Sequence, residues 1–271
     1  MVQMDSVDFQ AIKERQRMGW EAGDYPRVGI TLQIMAERLV EAADVRASQR
    51  VLDVACGQGN AAIAASRRFA DSTGLDYATN LLAQGRERAG AEHLPVTFTE
   101  GDAEQLPFPE ASFDTTLSTV GVMFAPDQER AAAELVRVTR VGGTIALANW
   151  TPDGLVGVLF KTIAKYAPPP AGVRSPMLWG TEGRLADLFG EQVEWTVTKR
   201  TFDLVYRSPG QFSEWFRLYY GPITRLAGAL DDGQRAQFAA DLADVPRQFN
   251  RADDGTVLAA AEYLEAIGVR R

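Results

Sequence analysis

Between residues 50 and 150 the sequence alternates short apolar runs with helical stretches, and this alternation constrains the fold more than any other feature. Strands are predicted at 51–55, 73–76, 96–100, 113–119 and 144–150. Helices are predicted between them at 61–69, 80–90 and about 128–137. Strands that alternate with helices form parallel crossover units. The region is therefore predicted to be an α/β domain whose twisted sheet is covered by helices on both faces.

Further elements are predicted on both sides of this region. Residues 8–46 have apolar side chains at helical spacing and break at the Gly-Asp-Tyr-Pro run 23–26, so two N-terminal helices are predicted. After Trp150 we predict a helix at 181–188, a β-rich segment at 193–206, helices at 211–220 and 232–249, and a last strand at 263–269. No clear linker divides the chain. We predict one domain with N-terminal helices (1–46), an α/β core (47–150) and a segment (151–271) that completes the sheet and adds further helices.

The composition excludes several classes of function. With 36 acidic and 28 basic residues the formal charge is -8, which disfavours binding to a nucleic-acid backbone. One cysteine and one histidine cannot form the usual zinc or iron–sulfur sites, so no metal is predicted. His93 precedes the third strand and is expected in an exposed loop at the edge opposite the ligand, where it cannot serve a Ser-His-Asp triad. Cys56 is expected to be a small packing residue.

The chain also shows no signal of a membrane or secreted protein. Its first residues are acidic where a signal peptide would be basic and apolar. No apolar run approaches the roughly 20 residues that a membrane span needs. We therefore predict no membrane span and a cytoplasmic location.

The most informative segment is a glycine-rich turn that follows the first predicted strand. Residues 50–60 run from an apolar strand carrying Asp53 into Gly57-x-Gly59, where the backbone must turn sharply beside a ligand. With Ala62 the turn also reads as the G-x-G-x-x-A dinucleotide pattern, and Asp76 lies 17 residues beyond Gly59 at the end of the next strand. Taken alone, the turn indicates a nucleoside ligand without deciding which one.

Three further features favour a cationic nucleoside over a dinucleotide. Asp53 places a carboxylate beside the turn, where it would repel a diphosphate but orient an ammonium group. Asp102 lies just past the third strand, at the edge where open α/β sheets bind ligands, and can accept from the exocyclic amine of a base. The chain also has no Tyr-x-x-x-Lys pair of the kind that short-chain dehydrogenases use.

Four groups of residues, in this order, resemble the motifs of one family. They are 51–60, Gly74-Leu-Asp76, Gly101-Asp-Ala-Glu-Gln-Leu-Pro-Phe-Pro109 with Ser112-Phe-Asp114, and Glu134-Leu-Val-Arg-Val-Thr-Arg-Val-Gly-Gly143. The chain resembles the class I S-adenosylmethionine-dependent methyltransferases over about residues 45–150. Within them it is most similar to the type 11 group, which includes ubiquinone/menaquinone C-methyltransferases. One departure is Val141, where the family usually has proline, and this affects a turn rather than the cofactor.

The resemblance implies both a topology and a cofactor. The fold is a Rossmann-like, doubly wound sheet of seven strands in the order 3-2-1-4-5-7-6 with an antiparallel last strand. The cofactor is S-adenosyl-L-methionine, which leaves as S-adenosyl-L-homocysteine. The residues that would contact it are Asp53, Ala55, Gly57, Gly59, Asp76, Tyr77, Asp102, Ala103 and Thr119. Among them Asp76 would accept the ribose hydroxyls beside Tyr77, Asp102 and the amide of Ala103 would read the adenine, and the others would hold the methionine part.

The same resemblance places the N-terminal helices and the segment after the fifth strand over the ligand edge of the sheet. In this arrangement residues 1–46 form a helical cap on the cofactor-binding core (47–150), and residues 151–271 form a helical lid over the substrate. Aromatic and Met side chains from the cap, the lid and the ends of the fourth and fifth strands are expected to line an apolar acceptor pocket: Trp20, Tyr25, Met123, Phe124, Trp150, Trp179, Trp215, Tyr219 and Tyr220. No residue is assigned as a catalytic base, and the candidates are Tyr25, Glu21 and Asp24.

We therefore predict a methyltransferase that acts on a small, apolar or aromatic acceptor. A sulfonium cation is already a strong electrophile, so the reaction is an in-line displacement that chiefly requires orientation and exclusion of water. Two alternatives remain open on the sequence: a non-catalytic nucleoside-binding module of the same fold, and a nicotinamide-dependent oxidoreductase.

Overall fold

The computed structural model describes residues 7–271, and the first six residues of the predicted N-terminal segment lie outside this range. The described strands are β1 (Arg50–Val54), β2 (Asp71–Asp76), β3 (Thr97–Glu100), β4 (Phe113–Thr119), β5 (Thr139–Trp150), β6 (Val193–Tyr206) and β7 (Val257–Arg270). They form one sheet in the order β3-β2-β1-β4-β5-β7-β6. Strands β1 to β5 pair in parallel, whereas β7 is antiparallel to both of its neighbours. The predicted topology is confirmed.

Eleven α-helices lie within the described residues. They are α1 (Phe9–Glu21), α2 (Tyr25–Gly29), α3 (Gln33–Ala42), α4 (Asn60–Arg67), α5 (Thr79–Ala91), α6 (Gln128–Val138), α7 (Leu155–Ala164), α8 (Glu182–Phe189), α9 (Pro209–Tyr219), α10 (Gly221–Ala229) and α11 (Asp232–Asp244). Short 3₁₀ turns connect several elements, including Ile30–Leu32 after α2 and Val122–Phe124 after β4. None of these helices is both long and apolar enough to cross a membrane.

The order of the strands determines where a ligand can bind. The chain passes from β1 to β2 and then to β3 in one direction across the sheet. From β4 it passes to β5 in the opposite direction. Since such crossovers are right-handed, α4 and α5 lie on one face of the sheet and α6 on the opposite face. A crevice therefore opens at the carboxyl ends of β1 and β4, where the strand order reverses.

Helix α4 packs closely on the sheet because its side chains are small. Its sequence is NAAIAASR, and residues 61–66 are all buried between the sheet and α3. Such close packing keeps the turn before the helix next to the strand end.

Several elements differ from the sequence predictions. Helices α7 and α10 are not predicted, and α2 begins at Tyr25, inside the predicted turn. Strand β5 begins at Thr139 rather than 144, because the Val-Gly-Gly run 141–143 stays in the sheet with an irregular register against β4. Helix α11 ends at Asp244, shortly before Pro246, whose ring cannot continue a helix.

The turns that follow β1 and β4 are locked against each other. The Ser118 hydroxyl donates to the carbonyl of Val54 at 2.8 Å and accepts from the amide of Val122 at 2.9 Å. A Cβ on Gly121 would lie 2.3 Å from the carbonyl oxygen of Ala55. Only glycine allows this approach without displacing the backbone.

Replacing Gly121 with alanine is expected to destabilise the protein because the new methyl group must push the β1 and β4 turns apart. The expected loss in the free energy of unfolding is about 1–3 kcal/mol, measured by urea denaturation. The matched control is Gly90→Ala in α5, where no neighbouring atom lies within 4 Å of the new Cβ. This control is expected to keep or raise stability, and equal losses in both variants would contradict the steric argument.

Candidate functional site

A cavity of about 920 Å³ opens at the carboxyl ends of the central strands. Its wall combines the turns after β1 to β4 with residues of α1 and α2. Among the predicted cofactor residues, those that line it are Asp53, Ala55, Gly57, Asp76, Tyr77, Asp102, Ala103 and Thr119. We call this space the first cavity.

The turn after β1 forms the floor of the first cavity. Ala55 and Gly57 have positive φ angles, 54° and 55°, so the backbone doubles back beside the end of the strand. The amide of Gly57 donates to Asp76 Oδ2 at 2.8 Å and so ties this turn to the end of β2. The turn is also bonded to α2, since Asn60 Nδ2 donates to the carbonyl of Gly29 at 2.8 Å.

Gly59, which is also predicted to contact the cofactor, does not lie among the residues that line the first cavity. It precedes α4 with φ 81°, and a Cβ there would lie 2.6 Å from the ring of Phe98. The residue is glycine because the helix must begin close to the sheet.

Two buried carboxylates lie near the β1 turn. Asp53 is 2% exposed, and its Oδ2 accepts from the amide of Ala62 at 3.0 Å. Burial raises the pKa of Asp53 to about 7, although the bond from Ala62 opposes the shift and the charge of Asp76 adds to it. Burial also raises the pKa of Asp76, opposed by the amides of Ala78 and Gly57. Both groups favour a positively charged ligand, which would replace the lost hydration.

A third acidic group lies at the end of the first cavity beyond β3. Asp102 Oδ1 accepts from the amide of Glu104 at 2.9 Å, and its Oδ2 accepts from Lys13 Nζ at 2.5 Å. The same ammonium lies 2.9 Å from Glu104 Oε2. The sequence analysis missed both Lys13 and Glu104. A signal for Lys13 existed, because it precedes the predicted pocket residue Trp20 by two helical turns and shares its face of α1.

The turn after β4 closes the first cavity opposite the β1 turn. Thr119 ends the strand, and Val120 has φ 52°, an unusual conformation for a β-branched residue. Val120 is 8% exposed and lines both the first cavity and a neighbouring one. The strained residue therefore lies between the two spaces.

This neighbouring space, the second cavity, has a volume of about 530 Å³ and mostly aromatic walls. It shares five residues with the first cavity: Trp20, Tyr25, Leu32, Val120 and Phe124. The ring of Trp20 lies edge-on to three others, at centroid distances of 5.6 Å to Tyr25, 5.0 Å to Phe124 and 5.5 Å to Tyr220. These contacts fix the shared wall by aromatic packing.

The structure sorts the predicted pocket residues into two groups. Those that line the second cavity are Trp20, Tyr25, Phe124, Trp150 and Tyr220. The others lie elsewhere: Met123 and Trp179 are in the core, Trp215 lines an open groove of about 690 Å³ beside β6, and Tyr219 lies under the guanidinium of Arg27. The physical reason is the direction of each side chain, since Trp215 and Tyr219 are one turn apart on α9 with ring centroids 4.7 Å apart, whereas Tyr220 follows the last residue of the helix.

Of the three candidates for a catalytic base, one lines the cavities and two do not. Tyr25 lines both cavities, but burial raises its pKa to about 12, so its phenol stays protonated near neutral pH. Asp24 pairs with Arg27 at 2.9 Å, and neither Asp24 nor Glu21 lies among the residues that line the two cavities. His93 is exposed in the loop before β3, as predicted.

Comparison with known proteins decides between the ligands that the glycine-rich turn allows. Residues 52–147 match the family model described as a methyltransferase domain. An uncharacterized protein of Mycobacterium tuberculosis is 37% identical over 246 residues, which are 89% of this chain and 90% of that one. A demethylmenaquinone methyltransferase of Deinococcus radiodurans is 37% identical over 128 residues, 46% of this chain and 53% of that one. The chain is a class I S-adenosylmethionine-dependent methyltransferase of the type 11 group.

A solved structure shares the fold of this methyltransferase. YcgJ of Bacillus subtilis superposes with a TM-score of 0.62 at 22% sequence identity, covering 90% of this chain and 99% of that one. The cofactor of the enzyme is S-adenosylmethionine. The nicotinamide and non-catalytic alternatives are set aside.

The lining of the first cavity fits this cofactor. Four carboxylates line it, and Lys13 is the only Lys or Arg side chain among the described residues of its wall. The surplus negative charge suits a ligand that carries a sulfonium and an ammonium group. Apolar residues such as Leu75 and Ala103 complete the wall and suit the face of a base.

The raised pKa of Asp53 predicts a pH-dependent stability. In the unfolded chain the group titrates near 4, so the empty native protein binds a proton that the unfolded chain releases between about pH 4 and 7. The contribution of Asp53 to stability therefore falls as pH rises through this window. Relative to Asp53→Asn, the wild type is expected to lose about 2 kcal/mol between pH 5 and 7, measured by urea denaturation without cofactor.

The control for this experiment is Asp153→Asn, which removes a carboxylate that is 91% exposed. Its pH profile is expected to follow that of the wild type. A profile of Asp53→Asn that is parallel to the wild type would contradict the assignment of the titration to Asp53.

Proposed function

We propose that this methyltransferase acts on a small, apolar or aromatic acceptor bound in the second cavity. The observation that carries the proposal is the shared wall: five residues, three of them aromatic, line both cavities. A cofactor in the first cavity and an acceptor in the second would meet at this wall. Proximity and orientation at such a meeting point supply about 7–11 kcal/mol of a transfer barrier.

The hydrogen-bonding groups in the first cavity support a proposed placement of the cofactor. Asp76 offers a carboxylate to the ribose hydroxyls, with Tyr77 beside the base. Asp102 and the amide of Ala103 lie past β3, where the adenine edge would be read. The remaining predicted residues, Asp53, Ala55, Gly57 and Thr119, would hold the methionine part. Val120, which lines both cavities, would then lie between the methionine part and the second cavity.

Each bound group then has a defined task. S-adenosylmethionine, when bound, supplies a methyl group on a positively charged sulfur. The β1 and β4 turns fix the methionine part, and the aromatic wall positions the acceptor and excludes water. The phenols of Tyr25 and Tyr220 stay protonated, because burial raises the pKa of both, so they can donate hydrogen bonds but do not remove a proton.

The acceptor class follows from these properties. An apolar cavity without an ionised base near neutral pH suits a nucleophile that needs no strong base, such as an amine, a thiol, an acidic phenol or an activated carbon. The Deinococcus relative is named for demethylmenaquinone, an apolar ring compound, and this supports the same class.

Phe160→Ala tests whether the acceptor binds in the second cavity and the cofactor in the first. Phe160 stacks on Phe124 at 5.7 Å and lines the second cavity but not the first. Small phenols, naphthols, aromatic amines and thiols are first screened with methyl-labelled cofactor to find one that is methylated. With that acceptor, Phe160→Ala is expected to raise KM about tenfold, because an aromatic contact is lost, while calorimetry shows unchanged affinity for S-adenosylhomocysteine.

Phe69→Ala is the control, since Phe69 is 82% exposed. It is expected to change neither quantity. The proposal is wrong if Phe160→Ala weakens cofactor binding and leaves the acceptor KM unchanged, or if only charged, hydrophilic acceptors are methylated.

A further inference from the structure

Helix α1 presents two different side chains to the site. Lys13 and Trp20 are seven residues apart, so they lie on the same side of the helix about 10 Å from each other along its axis. Lys13 lines the first cavity, and Trp20 lines both cavities. The helix therefore reaches from the Asp102 end of the first cavity to the wall shared with the second.

The ammonium of Lys13 is held by two fixed carboxylates. Its Nζ lies 2.5 Å from Asp102 Oδ2 and 2.9 Å from Glu104 Oε2. The second oxygen of each carboxylate is occupied by a backbone amide, that of Glu104 on Asp102 at 2.9 Å and that of Asp127 on Glu104 at 2.8 Å. The loop after β3 is thus a preorganised receptor, and Lys13 is the group that reaches it from another element.

The contact is partly shielded from water. The side chains of Lys13 and Glu104 are 17% and 3% exposed, whereas that of Asp102 is 32% exposed. Charge-assisted hydrogen bonds are stronger than neutral ones, and salt screens a partly buried pair less than an exposed pair. Breaking the contact also leaves the buried carboxylate of Glu104 without its counter-charge. The free-energy cost of this unpaired charge keeps α1 in place.

The far end of the same helical face is held by aromatic packing. Trp20 lies edge-on to Phe124 and Tyr220, and these contacts form part of the second cavity wall. Helix α1 is therefore held beside each cavity by a different kind of contact, and its C-terminal part also packs on the start of α10 through Gly19 and Gly221.

We propose that Lys13 is a positioning residue that holds α1 over the adenosine end of the cofactor site, so that the cofactor leaves only when Lys13 separates from Asp102 and Glu104. This inference rests on the proposed placement of the adenine beside Asp102. Because the same helix carries Trp20, its closure also completes the wall that the acceptor contacts. Lys13 thereby couples retention of the cofactor to the shape of the acceptor cavity.

A simple electrostatic role for Lys13 predicts the opposite result for a cationic ligand. Removing a positive charge from the site would strengthen binding of S-adenosylmethionine, whose sulfur is charged, relative to S-adenosylhomocysteine, whose sulfur is neutral. Loss of a closing contact would weaken both ligands by the same factor. The ratio of their dissociation constants therefore separates the two roles.

The experiment measures both ligands with Lys13→Met, by calorimetry and by stopped-flow displacement. S-adenosylhomocysteine is expected to dissociate about tenfold to a hundredfold faster, as for loss of a charge-assisted bond, with an unchanged ratio between the two ligands. Lys13→Arg is expected to restore most of the affinity. Hydrogen exchange at residues 9–21 is expected to slow on addition of S-adenosylhomocysteine in the wild type but not in Lys13→Met.

Two further variants keep the test specific. Lys161→Met removes a lysine from an exposed pair with Asp153 and is expected to behave as wild type. Lys13→Met combined with Glu104→Gln removes the uncompensated buried charge. If the double variant regains wild-type affinity, Lys13 only neutralises Glu104 and the proposal is wrong.

Other results also overturn the proposal. An unchanged dissociation rate in Lys13→Met would do so, and so would selectively tighter binding of S-adenosylmethionine. If the wild type binds S-adenosylhomocysteine but neither ligand responds to Lys13 variants, only the role of α1 fails. If the folded wild type binds neither ligand, the proposed cofactor site fails with it.

Discussion

The close contact between the turns that follow β1 and β4 is the constraint on which the rest of the site depends. Ala55 and Val120 both have φ angles near +50°, and Gly121 approaches the carbonyl of Ala55 so closely that no side chain fits. Backbone strain of this kind persists only where the surrounding packing enforces it. The hydroxyl of Ser118 and the small residues of α4 supply that enforcement. Without this contact the crevice between the two strands would have no defined shape.

The charges around the first cavity suit the proposed cofactor site better than they suit stability. Burial raises the pKa values of Asp53, Asp76 and Glu104, so each carboxylate costs free energy when it is ionised in the empty protein. Lys13 compensates only part of this negative charge. A cofactor with a sulfonium and an ammonium group, bound as proposed, would supply the rest and relieve the repulsion that folding creates.

The chemistry also explains why one histidine is enough. His93 is exposed in a loop before β3, at the opposite edge from the cavities. The proposed reaction needs an oriented electrophile and a dry acceptor pocket, and the turns and the aromatic wall would provide these without imidazole.

Much of the fold could be predicted from the sequence because its strands are bounded by clear polar and glycine breaks. Strand β4 at 113–119 and strand β6 at 193–206 have the predicted bounds. Helix α7 was missed because Leu155–Ala164 is apolar on nearly every side, which hides helical periodicity, and α10 was missed because it is short and begins at Gly-Pro.

The site was predictable to the extent that it follows local motifs. The turn after β1 and the acidic residues at the strand ends follow such motifs, so eight of the nine predicted cofactor residues line the first cavity. The second cavity was harder to predict because its lining depends on side-chain direction. Tyr219 and Tyr220 are neighbours in sequence, yet only Tyr220 lines the second cavity. Lys13 reaches Asp102 across 89 residues of sequence, a contact that only the tertiary structure reveals.

The central claim is that the cofactor binds at the carboxyl ends of β1 and β2 through the carboxylate of Asp76. The most direct test is calorimetric titration of S-adenosylhomocysteine into Asp76→Asn, with Asp71→Asn at the exposed beginning of the same strand as the control. Asp76→Asn is expected to bind about tenfold to a hundredfold more weakly, because charge-assisted bonds to the ribose hydroxyls are lost, and Asp71→Asn is expected to bind like the wild type. Wild-type affinity in a folded Asp76→Asn protein would contradict the claim.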